Sequence, residues 1–530
     1  MRSTLLLAAV TAASLLTPVT AAAAAPATPA TLADTPPMGW NDWAHYQCDF
    51  TEQTILANAD ALVSTGLAAK GYNTVTIDDC WMSKSRDGKG NLVADPARFP
   101  DGMAYVGRYL HDKGLRFGIY EDAGTLTCGG YPGSWDHFQQ DADLFASWGV
   151  DYLKLDGCNL PSVAGQTEEQ TYRGAYAAQS AALAKTGRAI VFSESAPAYF
   201  QGTPDWYTIL GWVKQYGQLW REGWDVATYD AKKPDASRWG SVLGNYGYNN
   251  PLGRYAAPGN WNDPDFLIAG DRGLTADESR SQVALWAMMA APMIMSSDVT
   301  KLSADAVKTL GNKDIIAVDQ DRLGRQGTVY AQNGTTDILY RPLANGDRAV
   351  AILNRSAASV TTSTTAGLPS CSFTAKDLWT GKSSNAVSAT IPAHGTAIFR
   401  VTPGKDCGTV KPIGQISGTS GKCMDDSNSG TANGNPVILW PCTGNANQRW
   451  QLSNGTVQSL GKCLANSGNK AVLSTCDGSA GQQWSYKLNG NLVNQNLCLD
   501  VTGGGSDNGT ALGLYACGNN QLNQIWSLPA

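Results

Sequence analysis

Between residues 35 and 320, short apolar runs alternate with longer Ala- and Leu-rich stretches, and this alternation restricts the folds open to the chain more than any other feature. The apolar runs read as strands at residues 38–43, 73–79, 116–121, 152–156, 189–195, 217–221, 266–269 and 292–296. Residues 175–184 and 281–289, between strands, carry helical periodicity. Eight strands alternating with helices predict a (β/α)8 TIM barrel over residues 35–322. A doubly wound α/β sheet is the other architecture that the alternation allows.

Residues 325–403 differ in texture. Val and Thr alternate with polar residues, and Asn-Gly pairs stand at Asn333-Gly334 and Asn345-Gly346, which predicts an antiparallel β-sandwich. Residues 404–413 read as a linker, and 414–530 repeat one pattern three times. Each repeat has a first cysteine (Cys423, Cys463, Cys498), a second (Cys442, Cys476, Cys517) and a closing Gln-x-Trp (Gln448 to Trp450, Gln482 to Trp484, Gln524 to Trp526). Units this short cannot bury a core singly, so three are expected around a pseudo-threefold axis.

Net charge is −6 without a basic run, which argues against nucleic-acid binding. Arg2, the apolar stretch 5–16 and the small residues 21–25 read as a signal peptide over residues 1–25, so the chain is expected to be secreted. No other run is apolar enough to span a membrane, and none of the partners expected is a membrane or a nucleic acid. Twelve cysteines suit an exported chain. The four histidines (His45, His111, His137 and His394) have no metal-site spacing, so neither metal nor cofactor is expected.

Almost every expected barrel strand ends in polar residues: Asp78-Asp79, Tyr120-Glu121, Lys154 and Asp156, Ser193 to Ser195, Arg221 and Asp225, with Asn262, Asp263 and Asp265 ahead of the seventh. Carboxyl ends of strands build the active site in such barrels. A buried carboxylate costs several kcal/mol unless paired, so stability alone explains this pattern poorly. Without a phosphate loop or a Ser-His-Asp arrangement, chemistry by two carboxylates remains, as in glycoside hydrolysis.

Met38-Gly39-Trp40, Ile77-Asp78-Asp79-Cys80-Trp81, Tyr152 to Cys158 and Trp261-Asn262-Asp263-Pro264-Asp265 resemble glycoside hydrolase family 27, which contains α-galactosidases and α-N-acetylgalactosaminidases. The resemblance implies a barrel, then an antiparallel β domain, and a retaining mechanism. It places Asp156 as nucleophile and Asp225 as acid/base, with Glu222 and Asp230 as rivals for the second role. It gives Asp78 and Asp79 the grip on the sugar's 4- and 6-hydroxyls, Trp43 the ring beneath the sugar, and Tyr120, Lys154 and Arg221 the remaining polar wall. Lys154 and Asp156 share a strand face, so the lysine's charge is expected to keep the carboxylate ionised. The resemblance also implies disulfides Cys48–Cys80 and Cys128–Cys158. A further family pair is missing, its positions held by Glu194 and Gly217. Cys371 and Cys407 form the nearest spare pair.

Ser195 and Ala198 bear on the substrate. In animal members, larger residues at these positions accompany galactose, and Ser with Ala accompanies N-acetylgalactosamine. α-Galactosidase is the first reading; α-N-acetylgalactosaminidase and β-L-arabinopyranosidase stay open. A non-catalytic lectin on a degenerate barrel is the alternative of another class, though it would lack one of the two carboxylates.

The C-terminal repeats resemble a ricin-B-type β-trefoil, carbohydrate-binding module family 13. That implies disulfides Cys423–Cys442, Cys463–Cys476 and Cys498–Cys517, and polysaccharide as a partner. Sugar binding then needs an Asp, an aromatic platform and an Asn. Asp425, Trp440 and Asn447 supply them in the first repeat, and Asp500, Tyr515 and Asn523 in the third. The second has Ala465, Ser474 and Gly481, so two competent sites are expected.

Overall fold

The computed structural model describes residues 32–529 apart from 333, 366–367, 370, 406, 408–412, 488 and 519–520. The expected signal peptide, Asn333 and most of the expected linker lie outside the described residues.

Eight parallel strands form the first sheet: β1 (Met38–Asn41), β2 (Thr74–Ile77), β3 (Arg116–Asp122), β4 (Tyr152–Asp156), β5 (Val191–Glu194), β6 (Leu219–Arg221), β7 (Trp261–Asp263) and β8 (Met293–Met295). They run in sequence order with β8 beside β1. Leu267 closes the ring by pairing with Met295, its N–H donating to Ile294 O at 2.8 Å and its carbonyl accepting from Ser296 N at 2.8 Å. Gly39 is required where β1 meets β2: a Cβ there would stand 2.3 Å from Thr74 O.

Two expectations shift. Trp43 lies not in β1 but at the start of a short helix, α1 (Trp43–Tyr46). The seventh strand is Trp261–Asp263, not residues 266–269. The apolar run 266–269 is buried and supplies the closing bridge, whereas Asn262 sits in the strand because its side chain is fully engaged. It accepts from Trp220 Nε1 at 2.9 Å and donates to Leu252 O at 3.0 Å.

The outer helices start where the sequence caps them. Thr51, Thr167 and Thr275 each accept from a backbone N–H three residues on, and Thr54, Gln170 and Glu278 return the bond. They open helices Glu52–Ser64, Glu168–Lys185 and Ala276–Met289. Trp40, Trp81, Trp220, Trp261 and Trp286 are fully buried, each indole N–H donating to an oxygen. Among the described residues no helix is long and apolar enough to cross a membrane.

Glu194 lies buried at the end of β5 against Gly217, where a Cβ would stand 2.4 Å from Glu194 Oε1. Burial pushes this carboxyl well above its ordinary 4.5. The folded protein therefore keeps the proton while the unfolded chain releases it. Stability is unaffected below pH 4.5 and falls as pH rises from there toward the folded value. Glu194→Gln is expected to melt higher than wild type at about pH 8 and to lose that advantage near the acid end. An equal change in melting temperature at both pH values would show that Glu194 takes up no proton on folding.

Beyond the barrel, β9 (Thr328–Gln332), β10 (Thr336–Pro342), β11 (Arg348–Asn354), β13 (Phe373–Asp377), β14 (Ser383–Ser384) and β16 (Thr396–Pro403) make a six-stranded antiparallel sheet. A second layer pairs β12 (Val360–Thr364) with β15 (Val387–Ile391). Val350, Ile352, Ile391, Phe399 and Val401 are among the buried residues of one cluster here. Cys371 and Cys407 are joined.

Eleven short strands between Ile413 and Ala516 form the last unit. Its core includes Trp450, Trp484 and Trp526 from the three Gln-x-Trp triplets. Disulfides Cys423–Cys442, Cys463–Cys476 and Cys498–Cys517 tie one repeat each.

Candidate active site

Asp78 follows β2 and is 1% exposed. Its Oδ2 accepts from Asn41 Nδ2 at 2.7 Å and from Lys154 Nζ at 2.8 Å, and its N–H donates to Asp42 Oδ1 at 2.7 Å. Asp79 accepts from Cys80 N at 2.6 Å and Gly129 N at 2.7 Å, and burial pushes its carboxyl up. Cys80 takes φ 74° and Asp265 φ 79°, costly for residues with a side chain. Both follow the carboxyl end of a barrel strand, and Cys80 is further fixed by its bond to Cys48.

Strand alternation places Tyr120, Lys154 and Asp156 on the barrel's inner face. Asp156 Oδ2 accepts from the Tyr120 hydroxyl at 3.3 Å. Its Oδ1 accepts from Tyr199 at 2.5 Å and from Gly157 N at 3.0 Å. Burial and the Asp156 charge raise the Tyr199 hydroxyl, so it stays a neutral donor. Burial opposes the Lys154 charge, but Asp78 and Asp156 outweigh it and raise the amine. The amine's direct partner is Asp78, and it acts on Asp156 through charge alone. Beside Asp156, burial and that residue's charge push Asp122 up to about 9.

Arg221, at the end of β6, joins the other half. Its guanidinium reaches Asp225 Oδ1 at 2.8 Å, Asp265 Oδ1 at 3.0 Å and Gly223 O at 3.1 Å. Asp263 and Asp265 are buried, whereas the Asp225 side chain is 72% exposed. Desolvation works against the Asp225 charge, but Arg221 outweighs it and holds the carboxyl below the usual range. Burial, relieved in part by Arg221, sets Asp263 at about 6. Asn41, Lys154, Ser193, Arg221 and Asp263 all face one small void inside the barrel.

The other expected residues fall in different places. Glu222 is fully buried, and burial pushes its carboxyl well up. Asp230 is exposed and accepts from Lys232 N at 2.8 Å, an ordinary turn contact. Of the three candidate acids, Asp225 is the one paired with Arg221. Trp43 is half-buried, its N–H bonded to Asn41 Oδ1 at 2.8 Å. Ser195 is 4% exposed, and Ala198 is half-buried one helical turn on, its N–H on Ser195 O at 3.0 Å. Cys128–Cys158 closes the loop after β4. Asp122, Cys128, Asp156 and Cys158 form the one metal-type grouping among the described residues, but the two sulfurs are spent in that disulfide. No motif pointed to Tyr199, in the short helix after β5 and 43 positions from the carboxylate it holds. Asn41 and Asp42 were equally silent. Tyr199 also borders an open cavity of about 760 Å³ lined by Gly157, Cys158 and Tyr172.

In the C-terminal unit, backbone register aligns the three repeats. Trp440, Ser474 and Tyr515 each pair with the first cysteine of their repeat. Trp440 is 40% and Tyr515 70% exposed. Asp425 Oδ2 accepts from Gln448 Nε2 at 2.8 Å. Asp500 Oδ2 accepts from Asn523 Nδ2 and Gln524 Nε2, both at 2.8 Å. Asn447 donates to Asp426 O at 2.9 Å. Ala465 offers no carboxylate, and Gln482 turns to Thr475 O instead.

A carboxylate steadied by two phenols, an open carboxylate on an arginine and a buried aspartate on a lysine thus stand together at the strand ends, and a pair of carboxylates is what glycoside hydrolysis uses. The family model for α-galactosidase A matches residues 35–321. Models for the α-galactosidase C-terminal β-sandwich domain and the ricin-type β-trefoil lectin domain match 333–401 and 412–526. The chain is 43% identical over 450 residues to α-galactosidase A of Aspergillus niger, covering 82% of this chain and 81% of that one. It is 39% identical over 385 residues to an α-galactosidase of Oryza sativa subsp. japonica, covering 70% and 86%. The crystal structure of α-galactosidase I from Mortierella vinacea matches with TM-score 0.63 at 32% identity, over 71% of this chain and 99% of that chain. The chain belongs to glycoside hydrolase family 27, with a ricin-type β-trefoil appended to its barrel and β-sandwich.

Proposed function

We propose that the chain is a secreted, retaining α-galactosidase that removes terminal α-D-galactosyl residues and holds polymeric substrate through its trefoil. The observation that carries this is the gathering of Asp156, Lys154–Asp78 and Arg221–Asp225 at the strand ends of a chain 43% identical to α-galactosidase A. The six disulfides support the oxidising, exported setting.

In this reading Asp156 attacks the anomeric carbon while Asp225 protonates the departing oxygen, giving a galactosyl ester on Asp156. Asp225, now a base, takes a proton from water, which attacks the same carbon and frees Asp156. Tyr120 and Tyr199 hold the attacking carboxylate in one orientation, so little is lost in positioning it. Asp78 and Asp79 accept from the sugar's 4- and 6-hydroxyls. An equatorial 4-hydroxyl would leave a buried acceptor unpaired, which selects galactose over glucose.

The Ser195 and Ala198 pair favours the α-N-acetylgalactosaminidase reading. Against it, an acetamide needs open space at the 2-position, and Ser195 is buried. Rates on nitrophenyl α-galactoside, α-N-acetylgalactosaminide and β-L-arabinopyranoside test the choice. A galactoside rate at least tenfold above the others is expected. A faster acetamido sugar would make the small pair the specificity pocket and overturn the first reading.

Asp425 with Trp440 and Asp500 with Tyr515 are read as two sugar sites. In full-length Asp156→Asn protein, Asp425→Ala or Asp500→Ala is expected to remove one site each by calorimetry. The double variant should weaken retention on a galactosylated polysaccharide roughly 100-fold through lost avidity. Undiminished retention would reduce the trefoil to a structural appendage.

A further inference from the structure

The groups described so far hold the galactosyl half of the substrate and leave the departing half unaccounted for. Among the described residues, four aromatic side chains stand out as exposed: Tyr199, Trp224, Trp440 and Tyr515. Tyr199 is engaged with Asp156, and Trp440 and Tyr515 are the platforms of the trefoil sites. Trp224 is 70% exposed, as open as Tyr515, and has no such part. Five other tryptophans of the barrel are fully buried with their indole N–H groups bonded. Leaving a ring of this size in water forgoes apolar burial that the fold takes up elsewhere.

The backbone under the ring is fixed. Arg221 brackets it, donating to Gly223 O on one side and Asp225 Oδ1 on the other. The Tyr248 hydroxyl donates to Trp224 O at 2.6 Å. Gly223 packs so closely on the Tyr248 ring that a Cβ would lie 2.4 Å from Cε2. Val226 N donates to Asp265 Oδ2 at 2.7 Å. A rigid main chain thus presents a free indole immediately before an open carboxylate.

We propose that Trp224 is the platform of the leaving-group subsite, stacking on the apolar face of a pyranose joined to the galactosyl oxygen. This rests on Asp225 being the acid of the proposed reaction. The group that departs hangs on the oxygen Asp225 protonates, so it passes the residue next to Asp225. The arrangement fits α-galactosides whose leaving group is itself a sugar, better than those with a small aglycone.

Melibiose and α-galactosyl fluoride separate the two halves, because fluoride departs without a sugar and without a proton. In full-length Trp224→Ala, the ratio of kcat/KM for melibiose to that for the fluoride is expected to fall about ten-fold, and Trp224→Phe to restore most of it. Equal losses on both substrates, or an unchanged ratio, would overturn the subsite. Wild-type protein inactive on the fluoride would instead overturn the α-galactosidase reading, and the subsite with it. Intact melibiose hydrolysis in Asp225→Ala would remove the acid on which the proposal stands.

Discussion

Asp156→Ala is expected to lower kcat/KM for nitrophenyl α-galactoside by about 10⁴-fold or more, since it removes the oxygen on which the galactosyl ester forms. The side chain lies at the end of β4, bonded to Tyr120, Tyr199 and Gly157 N. Azide gives the loss a signature. Entering the space the carboxylate leaves, it attacks the anomeric carbon from the same face as the aglycone departs from the other. The product is β-galactosyl azide, inverted once. Asp156→Asn keeps the shape and separates chemistry from folding, with an unchanged melting temperature as the control. Activity within tenfold of wild type in either variant would take Asp156 out of the reaction.

The second large effect belongs to Asp225→Ala. A poor leaving group needs its proton, so melibiose hydrolysis should fall by roughly 10²–10⁴-fold. α-Galactosyl fluoride should still load the enzyme, and azide should then release α-galactosyl azide, opposite in configuration to the Asp156 product. The pH profile follows from the Arg221 ion pair. Holding Asp225 below the usual carboxylate range, it leaves the donor protonated only on the acid side. Wild-type kcat/KM should therefore decline as pH rises out of the acid range, and the variant should lack that decline. Equal losses on melibiose and the fluoride would point to Glu222 or another group as the acid.

The roles given to Asp156 and Asp225 came from the family resemblance; what local reading supplied was the direction in which Asp156 points. Lys154 and Asp156 are two residues apart on one strand, so any barrel containing that strand turns both inward. Arg221 and Asp225 are four residues apart, and their ion pair follows from the turn after β6. The register of the trefoil repeats was also legible, because the Asp and the aromatic positions of each repeat stand on one hairpin: the first cysteine fixes which residue opposes it.

Residues 266–269 show where local reading fails. An apolar run predicts burial, not hydrogen bonding, and these residues are buried yet contribute a single bridge. Polar Asn262 belongs in β7 because Trp220 and Gln326, far along the chain, meet its amide. The direct partner of Lys154 was silent in the sequence for the same reason. The nearest carboxylate in sequence is Asp156, but β2 brings Asp78 within 2.8 Å.

By itself, the sequence determined what spacing and type can encode: strand and helix order, the faces of Asp156 and Lys154, the three trefoil repeats and their cysteine pairs, and the family. The tertiary structure decided which distant groups meet. It brought Tyr199 to Asp156, paired Lys154 with Asp78, left Asp225 open to solvent, and set Trp224 out beside it. These contacts join residues from different strand ends and loops, and only closure of the barrel fixes the distances between them.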